Sequence, residues 1–202
     1  MKVTETTYET LLVDEVKPGI VVVTLNRPDR FNAMTDTMFV ELEALAWALD
    51  AEDTLRVMIL TGTGKSFCPG YDLPGLGAIG MLDQQERAAR ALSAIRGLHV
   101  PVIAAVNGPA AGGGFSLALQ ADIRLASPEA KFNAAFVRIG LSAGDLGTSW
   151  LLTRLIGPAH TSEICFTGRG VDAAEAERLG IMNAGAQDVG ADAIALAEKI
   201  TT

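Results

Sequence analysis

The chain has 202 residues, 49% of them apolar, enough for one domain with a substantial core. Its net charge of −8, with 16 scattered Lys and Arg, excludes the basic face that nucleic-acid phosphates require, and Cys68 and Cys165 fit neither a disulfide framework nor a zinc pattern. The opening MKVTETTYETLLVDEV is polar and acidic without an apolar signal core, and no later stretch reaches membrane-spanning length, which predicts a cytoplasmic protein with reduced thiols and no membrane partner.

In chain order, Pro18 and Gly19 mark a turn, and residues 20–25 (IVVVTL) read as a buried strand. A polar loop with Arg27 and Arg30 follows. Thr35 or Asp36 is placed to cap a helix running to about Asp50, whose apolar residues Met38, Leu42, Leu45 and Leu49 recur at the helical interval. Residues 55–61 (LRVMILT) predict a second strand. The loop 62–77 after it holds five glycines and two prolines, and a weaker helix covers 83–98.

Residues 100–106 (VPVIAAV) lack polar alternation and suit a strand buried on both faces. The chain then breaks at Asn107-Gly108-Pro109 and passes through Gly112, Gly113 and Gly114 into a helix beginning FSLALQ. Glycines there would put unpaired amides, at the positive end of a helix dipole, beside an anion or a developing oxyanion. They would equally allow strand and helix to pack closely. Short strands are expected at 122–127 and 131–133, a third glycine-containing loop at 140–147, and helical segments at 148–156, 158–166, 171–179 and 191–200.

Two tempting motifs fail. GTGKS at 62–66 lacks the first P-loop glycine, since Ile59 stands five residues before Gly64. The triplet at 112–114 lacks the spacing and acidic partner of a dinucleotide site. His99 and His160 flank the glycine stretch with no serine elbow or ligand cluster, so both read as structural.

Four motifs in order carry a resemblance. They are NRP with FNAM at 26–34, LTG with SFCPGYDL at 60–73, PVIAAVNG with AGGG at 101–114, and ADIR at 121–124, continued by FTGR at 166–169 and AAEAERLG at 173–180. Together they resemble the enoyl-CoA hydratase/isomerase (crotonase) family over about residues 20–185. The resemblance implies an α/β fold, a crotonase-type spiral of ββα units forming a single domain over 1–202. It also implies an acyl-CoA substrate and a homotrimer or hexamer. No cofactor is implied beyond coenzyme A as part of the substrate, and no metal. Family members usually continue with a further helical segment, which the chain is expected to lack.

By motif position the family's oxyanion donors fall on the backbone N–H groups of Tyr71 and Gly113. The loop 29–33 matches the segment that cradles the adenine half of coenzyme A, with Arg27 or Arg30 near its phosphates. The substrate-binding set implied is Arg30, Phe31, Ala33, Gly70, Asp72, Leu73, Gly112, Ser116 and Phe136.

The chain departs from the hydratase pattern where that pattern places two glutamates, because the positions hold Ser116 and Phe136. Asp145, in GLSAGDLGTSW, is the nearby carboxylate. Its loop resembles that of members such as dienoyl-CoA isomerases and a chlorobenzoyl-CoA dehalogenase, which use an aspartate at the comparable site as proton carrier or nucleophile. Asp145 is therefore the expected acid/base, with isomerase-type chemistry favoured over hydration. It also suits the cap of the helix starting near Gly147. The alternatives left open are Asp145 as nucleophile in hydrolysis or dehalogenation, and a catalytically silent acyl-CoA-binding or assembly protein.

Overall fold

The apolar runs at 20–25 and 102–106 alternate between two buried faces rather than between core and solvent, and this sets the architecture. In β2 (Ile20–Leu25), Ile20 packs to one side of the sheet while Val21, Val23 and Leu25 pack to the other. In β4 (Val102–Val106) every residue is buried, with Ile103 and Ala105 on the first side and Val102, Ala104 and Val106 on the second. The computed structural model that shows this describes residues 3–144 and 146–202.

One sheet has six strands in the order β1 (Leu11–Lys17), β2, β3 (Val57–Gly62), β4, β6 (Ile123–Ala126) and β9 (Ala184–Gly185). Only β1 runs antiparallel to its neighbour. A second sheet joins β5 (Ala110–Ala111), β7 (Lys131–Asn133) and β8 (Gly170–Asp172).

On one face of the large sheet lies α6 (Val189–Thr201), whose Val189, Ala193 and Ala197 meet Ile20, Val57, Ile59, Ile103 and Leu125. The other face carries the larger core, with α1 (Asp36–Asp50), α2 (Met81–Arg96) and α3 (Gly113–Gln120). The apolar stripe expected on α1 is fully buried, and Thr35 caps the helix by accepting from the Met38 N–H at 3.2 Å. The chain continues through α4 (Thr148–Thr167), bent where Gly157 leaves helical geometry before Pro158, and α5 (Ala173–Leu179).

The structure adds four strands to the sequence reading. Residues 11–17, taken as part of a polar N-terminal stretch, form β1; its charges face outward on an edge strand while Leu11 is buried. The two-residue strands β5 and β9 are set by partners distant in sequence. Residues 170–172, expected at the start of a helix, instead pair antiparallel with β7, and Asp172 then caps α5 by accepting from the Glu175 N–H.

Candidate active site

Parallel strands β2, β3 and β4 all end at one edge of the sheet, so the loops after Leu25, Gly62 and Val106 emerge together, the usual place for a ligand in such sheets. Polar side chains lock these loops to one another. Asn32 is wholly buried, donates from Nδ2 to the carbonyls of Thr63 (2.9 Å) and Ser66 (2.8 Å), and accepts from the Arg27 N–H (3.0 Å). It holds itself and Phe31 in left-handed backbone conformation (φ 67° and 53°), leaving the Phe31 ring exposed. Arg27 donates to the Ala33 carbonyl at 2.5 Å and pairs with Asp72 at 2.9 Å. Of the two arginines expected near phosphates, Arg27 is thus engaged inside the protein, and Arg30 is exposed.

The segment from Cys68 to Asp72 changes partner midway. Cys68 pairs with Ala110 of β5, donating to the Pro109 carbonyl and accepting from the Ala111 N–H. Gly70 then turns with φ 103°, a conformation glycine tolerates, and its carbonyl accepts from Met34 N–H while Asp72 N–H donates to the Met34 carbonyl. Those bonds flank Tyr71 and leave its own N–H without an acceptor among the described residues. A Cβ on Gly70 would lie 2.9 Å from the Ala111 carbonyl oxygen and 3.2 Å from the Gly113 nitrogen, so the two chains touch there. Gly112 occupies the position before α3 with φ 50°, and Gly113, first in the helix, has no acceptor for its N–H among the described residues either. The amides of Tyr71 and Gly113 are therefore two donors without an acceptor among the described residues, on segments that meet where Gly70 approaches α3.

The two readings of the glycine triplet separate by position. A Cβ on Gly114 would fall 2.1 Å from the Cys68 carbonyl oxygen, so this residue serves close packing. At Gly113 it would meet the flexible end of the buried Met34 side chain (2.6 Å) and Leu146 Cδ1 (3.3 Å), side-chain atoms rather than backbone.

A narrow, mainly apolar pocket lined by Tyr71, Leu76, Met81, Phe136, Leu141 and Leu146, with Gln84 and Gln85, shares Leu146 with the surroundings of Gly113. The Tyr71 ring packs on Phe39 with centroids 5.0 Å apart, and its hydroxyl donates to the Gln84 carbonyl at 3.0 Å. Burial first, and the nearby Asp36 charge second, push its phenol well above the ordinary value. Wider grooves open elsewhere, one near Gly19 and Arg56 and one between Trp47 and Arg90, but they lie against none of the motif loops.

The model of the family described as Enoyl-CoA hydratase/isomerase matches residues 15–202. The chain belongs to the enoyl-CoA hydratase/isomerase family. A probable enoyl-CoA hydratase of Mycobacterium tuberculosis is 43% identical over 187 residues, covering 88% of this chain and 66% of that relative, so the chain spans just under two thirds of the relative's length. Among solved structures, an enoyl-CoA hydratase from Bacillus anthracis superposes with a TM-score of 0.92 at 32% identity, covering 96% of this chain and 77% of that one. A monofunctional enoyl CoA isomerase from M. smegmatis does so with 0.81 at 42% identity, covering 95% and 85%.

The two positions that the sequence resemblance matches to hydratase glutamates hold side chains without a carboxylate. Ser116 is wholly buried in α3, its hydroxyl 2.5 Å from that of Thr148 in α4 and 3.3 Å from the Gly112 carbonyl. Phe136, buried in the 3-10 turn Ala135–Ile139, forms a pocket wall. Asp145 lies outside the described residues. Leu73 is exposed at the start of the turn Leu73–Gly75, and Ala33 is buried with its carbonyl taken by Arg27. Among the described residues no group of three or more His, Cys, Asp and Glu is placed to hold a metal ion.

Sequence reasoning missed Gln84. Its side chain donates to Asp36 (3.0 Å) and to the Gly75 carbonyl (3.0 Å) and accepts from the Gly77 N–H (2.6 Å), fixing the loop that roofs the pocket. The available signal was a glutamine four residues before Ala88 on the buried face of α2.

Proposed function

We propose that this chain binds an acyl-CoA thioester and catalyses isomerase-type chemistry through a stabilised enolate, with Asp145 as the acid/base. The observation that carries the reading is the pair of N–H groups at Tyr71 and Gly113 that have no acceptor among the described residues, brought together where Gly70 packs on Gly113. A thioester carbonyl gains negative charge as its α-proton leaves, and fixed amide donors favour that charge without reorganising. Loss of one such donor typically costs about 10²–10³ in rate.

In this scheme the Asp145 carboxylate takes a proton from one carbon of the acyl chain as the C–H electrons pass into the enolate. It then returns the proton to another carbon, so the double bond shifts and no water is consumed. Support for placing Asp145 here comes from its neighbour in sequence: Leu146 meets Gly113 and lines the pocket. Asp145 is also the only acidic residue between Glu129 and Glu163. Isomerisation is preferred to hydration because Ser116 and Phe136 offer no carboxylate to position water, and because the 42% identical solved structure is that of a monofunctional enoyl CoA isomerase. Exposed Arg30 and Phe31, on the rigid loop before α1, are the groups proposed to meet the coenzyme A phosphates and adenine.

The test is Asp145→Asn, assayed for α-proton exchange of an acyl-CoA in deuterated water. The variant should keep its thermal stability and acyl-CoA affinity and lose exchange. Exchange at the parent rate would remove Asp145 from the chemistry and leave a helix cap.

A further inference from the structure

The geometry points to Tyr71 as the residue that sets acyl length, restricting the pocket to short chains; the inference rests on the acyl-thioester reading above. One residue supplies both a donor N–H to the reacting end of the site and an aromatic wall to the pocket beside it. The pocket adjoins that end because Leu146, which lines it, also lies 3.3 Å from where a Gly113 Cβ would stand. Its free space is about 20 Å³, room for little more than one water-sized group.

The walls differ in how far they can yield. Leu76 is half-buried and Met81 is 40% exposed, so both can swing outward to admit a few carbons. Tyr71 cannot, being held at both ends. Its ring rests on the wholly buried Phe39, and its hydroxyl is fixed on the carbonyl of Gln84, itself 2% exposed. The side chain of the same Gln84 grips Gly75 and Gly77, so the residue that anchors the hydroxyl is itself held in place. Phe136, another wall of the pocket, is 5% exposed and has little freedom to move aside. A chain of about four carbons fits by displacing the mobile side alone, while one of eight or more meets the Tyr71 ring.

The experiment is calorimetric binding of butanoyl-, octanoyl- and dodecanoyl-CoA to the parent, Tyr71→Ala and Tyr71→Phe. The parent should prefer butanoyl-CoA over dodecanoyl-CoA by about tenfold or more. Truncation to Ala should raise relative affinity for the long chain by at least a similar factor, since each added methylene then finds apolar surface. Tyr71→Phe keeps the ring and should keep the preference. If Tyr71→Ala does not fold, Tyr71→Leu makes the same comparison. A parent that binds all three lengths alike, or an unchanged ratio on truncation, overturns this inference alone. A folded parent that binds none of them overturns the acyl-thioester reading and this inference with it.

Discussion

The hydroxyls of Ser116 and Thr148 lie 2.5 Å apart, both side chains fully buried, and this contact ties the first turn of α3 to the first turn of α4. The position that the sequence resemblance matches to a hydratase glutamate thus holds two helices together. Crotonyl-CoA hydration should accordingly be about 10²–10⁴ times slower than in an enzyme with both glutamates, followed spectroscopically as loss of the conjugated thioester. Rapid hydration that survives Asp145→Asn would show that another group activates water.

The same contact makes a stability prediction. Ser116→Ala removes one partner and leaves the Thr148 hydroxyl buried, which should cost about 1–3 kcal/mol in urea unfolding. The double variant Ser116→Ala with Thr148→Val should recover part of that loss, and a fully additive result would mean the hydroxyls do not interact.

Neighbouring glycines should behave differently. Gly114→Ala drives a Cβ against the Cys68 carbonyl and should destabilise the fold by about 3 kcal/mol. Gly113→Ala meets the movable tip of Met34 and should leave thermal stability nearly intact while weakening acyl-CoA binding at least tenfold, roughly 1.4 kcal/mol. Equal losses of stability in both variants would assign both glycines to packing.

Cys68, wholly buried, has its thiol pushed up to about 12 by burial, an effect partly opposed by backbone hydrogen bonds from Gly70 and Met34. At pH 8 the native protein should therefore label at Cys68 with a disulfide reagent only as fast as it opens, and stoichiometric labelling within the mixing time would contradict this burial.

At the corner of α4 and α5, hydrogen bonds from Arg169 hold the carboxyls of Glu163 and Glu175 below their ordinary value of 4.5. A carboxyl depressed in the folded state stabilises at pH above its unfolded value and loses that contribution as pH falls through the folded one. Arg169→Ala should lower Tm near neutral pH, and the gap from the parent should close as pH drops below about 4.5. A gap independent of pH would mean Arg169 acts through packing alone.

Much of this was legible in the residues themselves. The α1 stripe, the doubly buried β2 and β4, and the glycines opening α3 each carry a local periodicity or a special backbone demand. β1 was missed because an antiparallel edge strand with Asp14, Glu15 and Lys17 outward reads as polar coil. Contacts made across the fold carry no local signal. Thr148 meets Ser116 from 32 residues away, and Gln84 gathers Asp36, Gly75 and Gly77 from separate loops.

Arg27 and Asn32 have a consequence for recognition. Through them the loop bearing Arg30 and Phe31 is fastened to the Ser66 carbonyl and to Asp72 in the loop after β3. The end of the site proposed for the nucleotide and the end proposed for the reacting carbonyl therefore form one stiff frame. Its ordering entropy is surrendered when the chain folds rather than when a ligand arrives. A long, flexible ligand laid along that frame has its two ends held at a fixed separation, so contacts far from the reacting atoms register the carbonyl against Tyr71 and Gly113.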